Sequence, residues 1–147
     1  MKLFKVKTNY LKEDKSSDNG SSNASEVRLF EAVDYVDAQT QAIKLVNENG
    51  CLGECDVDIQ KVSYDEVLDK EGEEIYYYEV RVSQMVVNDK DEEKIISKKY
   101  IVAGEDLEDA LDVVREHLKE EDEDSWWFTN VSETPIEEIV LLNLNIE

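Results

Sequence analysis

Leu29-Phe30-Glu31-Ala32, running into Asp34-Tyr35-Val36-Asp37-Ala38, is answered later in the chain by Tyr100-Ile101-Val102-Ala103, running into Glu105-Asp106-Leu107-Glu108-Asp109-Ala110, with one residue of slippage. Each copy reads as a strand that meets a helix start rich in carboxylates, where an Asp side chain accepts backbone N–H bonds. Upstream, Leu3-Phe4-Lys5-Val6-Lys7-Thr8 matches Tyr77-Tyr78-Glu79-Val80-Arg81-Val82. Downstream, Ile59-Gln60-Lys61-Val62-Ser63 matches Phe128-Thr129-Asn130-Val131-Ser132. The three blocks keep their order, so each half should build one similar supersecondary unit.

Periodicity fills in the elements. Phe4, Val6, Thr8 and Tyr10 alternate with Lys5, Lys7 and Asn9, the pattern of a half-buried strand. Glu13 to Ser25 is Ser-, Asp- and Asn-rich and reads as a long mobile hairpin loop before a second strand at Glu26 to Val33. Tyr35, Ala38, Ala42, Leu45 and Val46 form one helical stripe, and a third strand follows around Cys55 to Ile59. The second half repeats this with strands at Ile75 to Val87 and Lys94 to Ala103, a helix with Leu107, Ala110, Leu111, Val114 and Leu118 at helical spacing, and a strand at Trp126 to Ser132. Past Pro135, Ile139 to Ile146 alternates well enough for a further C-terminal strand. The expected fold is α+β: tandem ββαβ repeats forming a mostly antiparallel sheet of about six or seven strands with two helices. Residues 1–64 are the first repeat, 65–74 a charged joint, and 75–147 the second repeat with its C-terminal strand, together one compact unit.

The chain has 147 residues, 37 acidic against 16 basic, and a net charge of -21. A chain of this length buries roughly 70% of its unfolded surface and needs no metal or disulfide to fold. Periodic apolar residues, with two Trp, seven Tyr and three Phe, argue against general disorder. The acidity argues against direct binding to nucleic acid or anionic lipid. Met1 to Tyr10 holds three Lys and no continuous apolar run, unlike a signal peptide, and no apolar run reaches membrane-spanning length. The expectation is a cytoplasmic protein in which Cys51 and Cys55 stay reduced.

The residues quoted above, with the ending Val131-Ser132-Glu133-Thr134-Pro135-Ile136, resemble a two-repeat domain family of unknown function from Bacteroidetes and their phages, whose members carry a Glu-Thr-Pro-Ile tail motif. The resemblance implies a bacterial or phage origin. It brings no activity and no catalytic residues. The acidic loops and the Ser-rich insert depart from the family pattern.

Catalytic constellations are missing from the sequence. His117, the one histidine, falls late in a helix and reads as a C-terminal cation or packing residue. Cys51-Leu-Gly-Glu-Cys55 has no second pair to complete a zinc site. Asp14, Ser16 and Asp18 start like a calcium loop, but Gly20 and Glu26 each fall one place late. No glycine-rich phosphate loop precedes a helix. The chain is therefore read as having no cofactor, no metal and no enzymatic activity.

What remains is surface. Alternation would bury Tyr76 and Tyr78 and expose Tyr77, and one of Trp126 and Trp127 should face outward. An exposed aromatic beside Lys5, Lys7, Arg81 or Lys99 would suit a protein partner. Glu120, Glu121, Asp122, Glu123 and Asp124 form a solvated acidic run that would attract cations nonspecifically. The function expected is a non-catalytic acidic protein-interaction module whose unknown partner is a protein, in one reading a basic one. The alternative is a phage-encoded nucleic-acid mimic whose carboxylates imitate phosphates and block a host DNA-binding protein or nuclease. Edge strands and exposed aromatics leave a homodimer open.

Overall fold

A computed structural model describes residues 2–16, 20–120 and 125–141. In chain order the elements are β1 (Lys2–Glu13), β2 (Ser21–Ala32), α1 (Tyr35–Glu48), β3 (Asp56–Val62), β4 (Glu66–Leu68), β5 (Tyr76–Val87), β6 (Glu93–Gly104), α2 (Leu107–Glu120), β7 (Trp126–Glu133) and β8 (Glu138–Val140). The class is α+β, with strand–strand–helix–strand order in both halves. The strands divide between two four-stranded sheets, ordered β3-β1-β2-β8 and β4-β6-β5-β7. The chain splits accordingly into two compact units, Met1–Ser63 with Ile136–Glu147, and Tyr64–Pro135.

In the first unit β1 pairs antiparallel with β2, Phe4 opposite Phe30, and with β3, Val6 opposite Ile59. Because facing residues share a sheet face, Phe4, Val6, Phe30 and Ala32 form one apolar patch, and Ala38 and Ala42 of α1 pack on it. Small residues on the helix let it approach the sheet closely. Asp34 caps α1 by accepting the Asp37 N–H at 2.9 Å, while Asp37 Oδ2 accepts the Val33 N–H at 2.9 Å. Gly50, at φ +93°, ends the helix in the left-handed conformation that glycine adopts without strain.

The second unit is built alike. Tyr78 lies opposite Val102 in the β5–β6 hairpin, and Val80 opposite Val131 in β7. Val80, Val82, Tyr100 and Val102 meet Ala110 and Val114 of α2. Asp106 accepts the Asp109 N–H at 2.8 Å and Asp109 accepts the Glu105 N–H at 2.9 Å, the same reciprocal cap as in α1. A Cβ on Gly104 would stand 2.8 Å from the Ala110 backbone nitrogen, so the strand can run this close to the helix only with glycine there. Leu29 and Ile101, on the sheet faces turned away from the helices, are fully buried as well.

The pairings fix the correspondence between the halves. Asp34 and Asp37 stand where Asp106 and Asp109 do, so Leu29 answers Ile101, which removes the one-residue slippage. Ile59 answers Val131 and not Phe128, because Ile59 lies opposite Val6 and Val131 opposite Val80, the matching positions of the two first strands.

Four features differ from the sequence reading. Among the described residues the strands form two four-stranded sheets and not one sheet of six or seven. The Glu13–Ser25 stretch is not one long loop: β1 and β2 stay paired out to Glu13 opposite Ser21, and the Asp14 N–H bonds to the Gly20 carbonyl at 2.9 Å. Backbone ladder bonds need no apolar side chains, so polar composition did not stop the hairpin. The charged joint contains a strand, β4, which pairs parallel with β6, Val67 opposite Ile101. The C-terminal strand is β8, parallel to β2 with Ile139 opposite Leu29; the expected continuation from residue 142 to Ile146 lies outside the described residues. The strand after β3 thus joins the second sheet, and the strand after β7 joins the first.

Candidate interaction surfaces

A groove of about 570 Å³ runs between edge strand β4 and helix α2. Val67, Leu68 and Val113 give it an apolar floor, and Asp69, Asp109, Asp112, Glu116 and Glu120 an acidic rim. Four of these acids come from one helix because positions three and four apart share a face. Lys70 Nζ pairs with Asp109 Oδ2, and Arg115 Nη1 reaches Asp112 Oδ1 at 2.7 Å. The Lys70 hydrogen bond, helped by the Glu105 N–H, holds the Asp109 carboxyl below the usual carboxylate range. Glu116 and Glu120 have no cation paired with them among the described residues. His117 forms part of the groove wall: its Nε2 lies against Glu66 Oε2 of β4, and its ring meets Tyr100 edge-on at 5.6 Å. These two contacts tie α2 to the edge strand and to β6.

The face of the second sheet turned away from α2 has a different character. Along it, Arg81 lies opposite Lys99 and Asn130, Ser83 opposite Ser97 and Trp127, Met85 opposite Ile95, and Val87 opposite Glu93. The Ser83 and Ser97 hydroxyls are 2.9 Å apart. Trp127 (42%), Met85 (45%), Ile95 (58%) and Val87 (62%) keep large fractions of their surface exposed. Arg81 is exposed beside them, and Lys99 Nζ sits 5.0 Å from the Tyr64 ring centroid. Trp126 points to the helix side, half-buried, with Lys98 Nζ 5.2 Å from its ring centroid.

The structure therefore brings Trp127, Arg81 and Lys99 together on one face and separates Trp126 from them. Tyr77 requires a correction. It is buried, with its hydroxyl donating to Asp69 Oδ1 at 2.9 Å, and Tyr76 is the exposed member of the triplet. Both faces of the hairpin are covered at this end, so alternation does not decide exposure there. Lys5 is half-buried and Lys7 exposed, on the face of the first sheet away from α1. Glu120 ends α2, exposed; Glu121, Asp122, Glu123 and Asp124 lie outside the described residues. The edge-strand groove went unread in the sequence, although Glu66-Val67-Leu68 and Glu138-Ile139-Val140 follow the third strand of each half with the same acid–aliphatic–aliphatic pattern.

In the first unit a polar chain crosses the helix-facing side of the sheet. Tyr10 donates to Glu26 Oε1 at 2.7 Å, Arg28 Nη1 to Glu26 Oε2 at 2.5 Å, and Arg28 Nε to Glu138 Oε1 at 3.0 Å. Glu26, the residue that would close a calcium loop, is committed here. Asp14 Oδ1 accepts from the Ser16 N–H and hydroxyl, and Asp18 lies outside the described residues. Burial, followed by the charge of Cys51, pushes the Cys55 thiol up, away from the thiolate a nucleophile needs. Among the described residues no cluster of His, Cys, Asp and Glu is arranged to hold a metal, and no helix is long and apolar enough to cross a membrane.

A family model described as a domain of unknown function (DUF4494) matches residues 2–142, nearly the whole chain, and the protein belongs to that family. No curated protein and no solved structure matches it.

Proposed function

We propose that the protein is a non-catalytic acidic interaction module that binds a basic surface of another protein, in the cytoplasm of a bacterium or of a phage-infected cell. The observation that carries this reading is the groove between β4 and α2, with apolar Val67, Leu68 and Val113 beneath a rim of carboxylates. Apolar contact supplies affinity and the charged rim supplies steering and selectivity for cationic side chains. Lys70 on Asp109 is an example within the chain of an ammonium held by this rim.

A second reading, nucleic-acid mimicry, is favoured by the row Asp109, Asp112, Glu116 and Glu120, whose members repeat on one helix face with Cβ atoms about 5–6 Å apart. Both readings call for a basic partner and differ in what that partner otherwise binds.

The test is affinity capture from the source cell with the native chain and with a variant carrying Asp112→Asn, Glu116→Gln and Glu120→Gln. The native chain should retain a basic protein, weakly at raised salt, and the triple variant should lose it. Equal retention by both would remove the groove from the function. Competition by duplex DNA for the captured protein would select mimicry; indifference to DNA would select the adaptor.

A further inference from the structure

The second sheet's other exposed face is a surface of opposite chemistry, independent of the acidic groove. Its composition is that of an interface centre: Trp, Met and Arg are enriched there, and here Trp127, Met85 and Arg81 share one face with Ile95 and Val87. The face is graded. One end is cationic, with Arg81 opposite Lys99. The middle is small and polar at Ser83 and Ser97, with Trp127 beside them. The far end is largely apolar, with Met85, Ile95 and Val87, and Glu93 stands opposite Val87 at its margin. Arg81 is notable in a chain of 37 acids. It is exposed and pairs with no carboxylate among the described residues, and Glu79, two places along the strand, accepts from the Tyr64 hydroxyl instead.

Size narrows the occupant. From Arg81 to Val87 an extended strand covers roughly 20 Å, and three strands span roughly 10 Å. The footprint, on the order of 200 Å² in projection, is small beside an interface between folded proteins that buries ~800 Å² of accessible surface per partner, and it suits a short segment. A second copy of the chain is disfavoured, because docking would bring together two molecules of net charge -21 each. A nucleic acid is disfavoured for the same reason.

We propose that this face docks a short linear segment of a partner protein, in which a carboxylate meets Arg81 and Lys99 and a neighbouring large apolar side chain lies against Trp127, Met85 and Ile95.

The experiment selects random linear peptides on the immobilised full chain and measures the winners by fluorescence anisotropy. The expected winners carry Asp or Glu within a few residues of Leu, Ile or Phe. Trp127→Ala and Arg81→Glu should each weaken them at least tenfold, while Glu116→Gln leaves them unchanged. Exchanging the peptide's acid for Lys should restore binding to Arg81→Glu, a rescue that a misfolded variant could not show. Selection of basic peptides sensitive to Glu116→Gln, or of none, would overturn the assignment without touching the proposed groove function. So would winners indifferent to Trp127→Ala, or a dimer in sedimentation that Trp127→Ala abolishes.

Discussion

Glu26 shows how single residues decide what composition leaves undetermined. In a chain with so many carboxylates it has no distinguishing mark in sequence, yet the fold places it between Tyr10 and Arg28. Burial alone would push its carboxyl up; the hydrogen bonds from Arg28 and Tyr10, with the charge of Arg28, outweigh this and bring it below the ordinary value. Tyr10 moves the other way: burial first, then its bond to Glu26, pushes the phenol up to about 12. The two signs give two limbs of pH dependence. Glu26 contributes stability above its unfolded value, and that stability is lost as pH falls through its lowered folded value. Tyr10 contributes below its unfolded value of 10.0, and loses its contribution as pH rises toward about 12. Tyr10→Phe should therefore flatten the alkaline limb of a denaturation profile between those values, and should cost about 1.5–3 kcal/mol near neutral pH, the worth of a hydrogen bond to a charged acceptor. A variant with an unchanged alkaline limb would mean that the phenol is not the titrating group. Tyr77 teaches a related lesson. Strand alternation assigns faces, but exposure also depends on what covers the face, and both Tyr77 and Tyr78 are buried.

At the scale of elements, the long periodic segments and the start of the C-terminal strand were legible, and the strand in the charged joint was not. The two hairpins, both helices, the third strands and the carboxylate caps follow from alternation, helical stripes and Asp at the helix starts. β4 does not, because three residues carry no period; β8 could be read from Ile139 onward as a C-terminal strand, but the parallel pairing of both with strands distant in sequence could not. The extent of the first hairpin was hidden for another reason: Ser and Asn weaken strand propensity, but the ladder to Lys12 and Glu13 overrides it. Of the candidate site, Trp127, Arg81 and Lys99 could be named from the sequence, while their juxtaposition required the β5–β6 and β5–β7 registers. The repeated caps give a direct comparison. Asp34→Ala should destabilise by about 1 kcal/mol through loss of the N-cap bond. Asp109→Ala should cost more than Asp37→Ala, because Asp109 holds Lys70 in addition to the Glu105 N–H. Thermal melts of the single variants check this ordering. Equal losses at Asp37 and Asp109 would assign the Lys70 pair no net worth, as happens with many exposed ion pairs.

At the scale of the whole molecule the net charge of -21 opposes the fold it decorates. Two like charges about 10 Å apart in water repel by about 0.4 kcal/mol before screening. At about 10 mM salt the Debye length is roughly 30 Å and each carboxylate feels acids across its whole domain; at about 150 mM it shrinks to roughly 8 Å and only near neighbours matter. Adding monovalent salt over this range should therefore raise the melting temperature, by several degrees if the relief reaches about 1–2 kcal/mol. The row on α2 localises part of the effect. Asp112 and Glu116, and Glu116 and Glu120, are like charges four apart on one helix face, a spacing that destabilises an exposed helix. Glu116→Gln with Glu120→Gln should raise the low-salt melting temperature and shrink its salt dependence, while lowering capture of a basic partner. That pairing of effects is what an acidic surface kept for binding entails, since the same repulsion that weakens the free protein is relieved when a cationic partner arrives. A low-salt melting temperature that stays flat or falls as salt is added would instead mean that the carboxylates are already compensated, and the electrostatic basis of the proposed function would go with it.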